Sequence, residues 1–122
     1  MAAWYSRPVL FVENVDRSIE FYTRQLGFFE HWRHAENGKT LVAQVDREGC
    51  ELIFSCQAPQ KNGFGRIFIS LSVDVLQALR AELEAKAVGI RDGHWGYETM
   101  IVEDPDGNEL FFPYPARDSD AA

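Results

Sequence analysis

The period of the hydrophobic positions changes several times along the chain, and each change marks an element. Val9, Leu10, Phe11 and Val12 are β-formers behind Pro8, which predicts a strand over Ser6 to Val12. Asn14 is a helix N-cap residue, and Val15, Ser18, Ile19, Tyr22 and Leu26 follow at helical spacing. Gly27 can end that helix in the left-handed conformation. Three strands follow, over Phe28 to Ala35, Thr40 to Val45 and Cys50 to Cys56. Asn37-Gly38 reads as a type I′ hairpin turn, and Asp46 to Gly49 turn the chain between the last two strands.

Gln57 to Gly65, with Pro59, Asn62, Gly63 and Gly65, reads as an internal linker. Beyond it the order repeats. Ile67, Ile69, Leu71 and Val73 alternate through a strand over Arg66 to Val73, and Leu76, Leu79, Leu83 and Ala87 mark a helix that stops near Gly89. A weak strand covers Ile90 to His94. Tyr97 to Glu103 and Glu109 to Tyr114 then form a hairpin about Asp104-Pro105-Asp106-Gly107-Asn108. The reading is a single α+β domain of two strand–helix–three-strand modules, about 6–56 and 66–114, with linker 57–65 and a loose tail 115–122. Each module is too one-sided to close a core alone, so the two should pair their sheets into a cupped, half-open barrel with the helices outside.

Composition adds what the chain does not do. The 122 residues carry 12 Lys+Arg against 19 Asp+Glu, a net charge of −7. An acidic surface repels phosphate backbones, so nucleic acid is not an expected partner. No apolar run reaches the ~18 residues of a membrane span, and the first residues lack the basic and long apolar regions of a signal peptide. Cys50 and Cys56 fall in one predicted strand, roughly 20 Å apart and beyond disulfide reach. A reducing cytoplasm is the expected compartment.

The stretch Pro8-Val9-Leu10-Phe11-Val12-Glu13-Asn14-Val15-Asp16-Arg17-Ser18-Ile19-Glu20-Phe21-Tyr22, with Leu26-Gly27-Phe28, resembles the opening of the glyoxalase/bleomycin-resistance/extradiol-dioxygenase superfamily. The ending Asp104-Pro105-Asp106-Gly107-Asn108-Glu109-Leu110-Phe111 is similar to its last hairpin. The resemblance spans nearly the whole chain. It implies paired βαβββ modules and, in the superfamily's enzymes, a divalent metal held by His and Glu from four inward-facing strands.

Placed by their distance from the motifs, those ligand positions fall on Arg7, on Glu51 or Ile53, on Phe68 and on Phe111. A guanidinium and two phenyl rings cannot ligate, so at most one carboxylate remains and neither a metal nor any other cofactor is expected. His31 and His34, three apart in a strand, should face opposite sides. The pattern looks more like the metal-free bleomycin-resistance branch, whose dimers hold a drug in crevices between subunits. On that resemblance the chain is expected to be a non-catalytic homodimer that sequesters a planar or cationic small molecule, such as a bleomycin-type antibiotic. Rings would stack on aromatic side chains, and cations would reach ring faces or carboxylates. The expected ligand-binding residues are Arg7, Phe11, Trp32, Glu51, Phe68, Trp95, Glu109 and Phe111. The alternatives are a metal-dependent lyase, isomerase or dioxygenase of the same superfamily, and an interaction module whose cleft is filled by its own side chains. No nucleophile elbow supports serine-hydrolase chemistry.

Overall fold

The computed structural model describes residues 3–94, 96 and 98–114. The tail 115–122 and Trp95 lie outside the described residues. Strand β1 (Val9–Phe11) leads into helix α1 (Val15–Glu20), which continues as a π-helical turn over Phe21–Gln25. Strands β2 (Phe29–Glu36), β3 (Lys39–Arg47) and β4 (Cys50–Ser55) complete the first module. After a 3-10 turn at Pro59–Lys61 the second module runs β5 (Arg66–Phe68), α2 (Val73–Ala85), β6 (Arg91–His94), β7 (Glu98–Glu103) and β8 (Glu109–Pro113). The sheets are ordered β1-β4-β3-β2 and β5-β8-β7-β6. In each, the first strand pairs parallel to the last and the other pairs are antiparallel. This is an α+β fold of two βαβββ modules, each a four-stranded mixed sheet.

Local chemistry explains the boundaries. Asn14 Oδ1 accepts from the Arg17 amide at 3.0 Å, capping α1, and Gly27 leaves the helix at φ 73°. Asn37-Gly38 forms the expected turn with both φ angles positive. β3 runs further than the sequence predicts, because Asp46 and Arg47 still pair with Glu51 and Cys50, so Glu48-Gly49 alone make a second turn of that kind.

Two boundaries in the second module are corrected. β5 stops at Phe68 rather than Val73: after the Ile69 amide bonds the Phe111 carbonyl at 2.9 Å, Ser70 and Ser72 leave the strand. Burial of Leu76, Leu79 and Leu83 then carries Val73 and Val75 into α2 despite their β-preference. The helix ends before Gly89, with Ala87 in the left-handed region at φ 57°. The Val88 and Ala87 amides close the last turn on Leu83 and Glu84.

Leu10, Val12, Leu52 and Phe54 of the first sheet share one hydrophobic cluster with Leu110 and Phe112 of the second, together with Val15, Ile19, Tyr22, Leu76, Leu79 and Leu83. Each such buried side chain contributes about 1.5–3 kcal/mol. The modules are clasped by the β7–β8 turn. Asp104 accepts from Tyr22 Oη (3.0 Å) and from the Asn108 side chain, which also donates to the Phe11 carbonyl. Gly63 meets this turn so closely that a Cβ there would lie 2.1 Å from the Asp106 carbonyl.

Candidate functional site: the open sheet faces

Strand alternation sends Leu10, Leu52 and Phe54 under the helices and leaves their neighbours on the opposite face. On the first sheet the ladder aligns Val9, Ile53, Gln44 and Trp32 in one row across β1, β4, β3 and β2. On the second it aligns Phe68, Phe111, Ile101 and Arg91. Large apolar groups stand partly in solvent here: Val9 is 44% exposed, Phe68 39% and Trp32 37%.

Gln44, 1% exposed, is the hub of the first face. Its Oε1 accepts from Arg7 Nη1 and from Trp32 Nε1, both at 3.0 Å. Its Nε2 donates to Asp46 Oδ1 at 2.9 Å and to Glu51 Oε1 at 2.7 Å. All four hydrogen-bonding sites of the amide are used, so the side chain can be buried without an unsatisfied group. His31 Nδ1 lies 2.5 Å from Asp46 Oδ2. Burial pushes the Asp46 carboxyl up, but the hydrogen bonds from Gln44 and His31 outweigh it and hold it below the usual carboxylate value. A hydrogen bond to Glu51, with burial, raises the Tyr5 phenol.

The second face is aromatic and zwitterionic. The Phe68 and Phe111 rings sit 5.0 Å apart, and the Arg66 guanidinium lies 5.9 Å from the Phe111 ring centre. Glu109 is clamped by Arg91 and by Arg66, the latter at 2.8 Å. The Arg91 hydrogen bond, followed by that from Arg66, holds its carboxyl below the usual range.

Of the residues singled out from sequence, Arg7, Trp32 and Glu51 are joined through Gln44, while Phe68, Glu109 and Phe111 share the other sheet. Phe11 is half-buried on β1, with the Lys61 ammonium 5.3 Å from its ring centre. Glu109 is already neutralised by two arginines, which leaves Glu51 as the carboxylate with more capacity for a cation.

The sequence does not single out Gln44, and it places Asp46 in a turn and His31 in a strand without joining either to this cluster. The first two had a signal, since Gln44 and Asp46 interrupt the apolar run Leu41-Val42-Ala43 at alternate positions. His31 had none. A register shift between Glu30 and Trp32 makes it the extra residue of a bulge, placing it and Trp32 both within reach of the Gln44–Asp46 pair.

These residues do not fit the metal centre of the superfamily's enzymes. Three of the four positions hold a guanidinium and two phenyl rings, and Glu51 is tied to Gln44. Among the described residues no group of three or more His, Cys, Asp or Glu converges.

Two mixed sheets of order β1-β4-β3-β2 and β5-β8-β7-β6, helices on one face and an open face on the other, define the class. The family model described as Glyoxalase/Bleomycin resistance protein/Dioxygenase superfamily matches residues 4–112, and the chain belongs to that superfamily. A comparison with curated proteins gives no match. Among solved structures the chain is similar to TnmS3, an antibiotic binding protein from Streptomyces sp. CB03234, at 22% identity and TM-score 0.74, covering 95% of this chain and 99% of that one. It is similar to the bleomycin-binding protein of Streptomyces verticillus, solved with copper(II)-bleomycin, at 22% identity and TM-score 0.70, covering 95% and 100%. TioX from Micromonospora sp. ML1 follows at 19% identity and TM-score 0.69, covering 90% and 98%. At these identities the likeness is one of fold.

Proposed function

We propose that the protein binds a small molecule without transforming it, and sequesters a planar or cationic compound of the bleomycin-type antibiotic class. The observation that carries this reading is the adjacent Phe68 and Phe111 rings on the second open face, at positions where the family resemblance would put metal donors. Rings stack between Trp32 and the Phe68–Phe111 pair, each aromatic contact adding about 0.5–1.5 kcal/mol beyond area burial. Glu51 takes a cationic group and Arg7 a ligand oxygen. The solved relatives whose names include antibiotic or bleomycin binding support the ligand class.

The open faces belong to separate sheets of one chain, and their exposed apolar groups support a homodimer in which a second copy covers them and walls the crevice. Trp95, outside the described residues, remains a proposed crevice residue. Cys50 and Cys56 are both free, as a cytoplasmic protein allows. No helix among the described residues is long and apolar enough to cross a membrane.

The test is thermal unfolding in the presence of a bleomycin-type glycopeptide and a panel of planar aromatic cations. A ligand at one hundred times its dissociation constant stabilises by about 2.7 kcal/mol, and Phe68→Ala weakens that ligand. If no member of the panel shifts the midpoint, the reading fails.

A further inference from the structure

A largely apolar cavity lies on the helix side, where the modules meet, and Phe68 of the second open face borders it. It holds about 630 Å³, within the size range of small-molecule sites. Its walls are Leu26 and Phe28 ahead of β2, Cys50 at the start of β4, Leu79 and Leu83 of α2, and Phe112 of β8.

Two features make it more than a packing gap. The first is a strut. Arg47, the last residue of β3, donates through Nη1 to the Leu26 carbonyl (2.6 Å) and to Glu82 Oε2 (2.9 Å), and through Nη2 to Glu82 Oε1 (3.1 Å). This forked pair ties α2 to the β3–β4 hairpin across the cavity rim. The guanidinium passes so close to Gly27 that a Cβ there would lie 2.5 Å from Nη1. The second is charge. Arg47 and Glu82 neutralise each other, whereas Glu48 and Asp74, also on the lining, have no ion-pair partner among the described residues. The cavity is therefore greasy inside and anionic at the edge.

We infer that this cavity is a second ligand site, sharing only Phe68 with the crevice proposed above, and that it takes an amphiphilic cation: an aryl or alkyl body with a protonated amine. The apolar body replaces solvent against Phe68, Leu71 and Val75, over a floor of buried Leu79, Leu83 and Phe112, and the ammonium sits between Asp74 and Glu48. Phe68 borders both sites, but none of these contacts involves Arg7, Trp32 or Glu51, so Trp32→Ala tells the two sites apart.

Cys50 reports occupancy, because it is part of the wall and Cys56 is not. Burial pushes the Cys50 thiol up, so its alkylation is slow enough to time by hand. In a Cys56→Ser background, iodoacetamide alkylation is followed with 4-phenylbutylammonium, its neutral alcohol and its carboxylate analogue 4-phenylbutyrate as probes. The cation slows alkylation saturably, by about tenfold at ten times its dissociation constant. The alcohol protects at higher concentration and the carboxylate least. Ala78→Trp, which fills the mouth, abolishes protection while the far-ultraviolet spectrum stays native. Asp74→Asn narrows the gap between cation and alcohol. Trp32→Ala leaves protection intact even if it removes binding in the crevice, so the two readings fail separately. An alkylation rate unchanged by the cation up to its solubility limit overturns the inference, and so does equal protection by cation and carboxylate.

Discussion

Replacing Gln44 by leucine isolates the part of the site that holds Trp32, Arg7, Asp46 and Glu51 together. The volume is nearly kept, so the change is chemical. Two amide donors to carboxylates disappear, from Asp46 at 2.9 Å and Glu51 at 2.7 Å, as does the acceptor shared by Arg7 and Trp32. Hydrogen bonds to charged groups contribute about 1.5–3 kcal/mol each. Glu51, Arg7 and Trp32 reach water and recover part of that loss, whereas Asp46, 8% exposed, recovers least. Leucine gains about 1 kcal/mol of apolar burial over glutamine. The net expectation for Gln44→Leu is a loss of about 2 kcal/mol. With a urea slope of about 2 kcal/mol/M, the midpoint drops by about 1 M.

The Gln44→Leu loss also depends on pH. Asp46 is held below its ordinary value in the fold, so its contribution is present above the unfolded pKa and disappears as pH falls through the folded one. In the variant that contribution is smaller, and wild type and variant converge in acid. A urea midpoint unchanged or raised at neutral pH refutes the hub.

Tyr22→Phe removes the buried hydroxyl that donates to Asp104 and should cost about 1–3 kcal/mol by urea unfolding. Burial already raises Asp104, so its ionisation opposes folding: that stability is full below the unfolded pKa and lost as pH rises through the folded one. Losing a donor raises it further, which makes the variant's deficit largest at neutral pH. Ala87→Gly relieves a left-handed alanine at the end of α2 and should raise stability by about 0.5–1 kcal/mol; a lower melting temperature counts against that explanation. Glu109 is depressed by Arg91 and Arg66, so its side-chain carbon should titrate below the ordinary glutamate range by NMR. The stability gap to Glu109→Gln should close as pH falls through that folded value.

The order of elements and the first hairpin turn were legible, because each rests on local chemistry: alternation, an N-cap asparagine, and a turn pair that tolerates positive φ. The end of β5 was not. Val73 read as the last residue of a strand, and only the burial of Leu76, Leu79 and Leu83 turns it into the start of a helix. The open faces were legible as a set of residues through the family motifs. Their wiring was not, since the bulge at His31 and the four-way bonding of Gln44 depend on the register between β2 and β3. The role of Asp104 to Asn108 was half legible: the residues read as a turn, and the structure adds that this turn clasps the two modules.

Metal stoichiometry tests directly whether Arg7, Phe68 and Phe111, at three of the four strand positions, leave no place for an ion. Protein purified without chelator, equilibrated with zinc, nickel, iron(II) and manganese and then desalted, is measured by elemental analysis. The account predicts metal far below one ion per chain, unchanged by Glu51→Gln. One retained ion per chain, lost in Glu51→Gln, contradicts it.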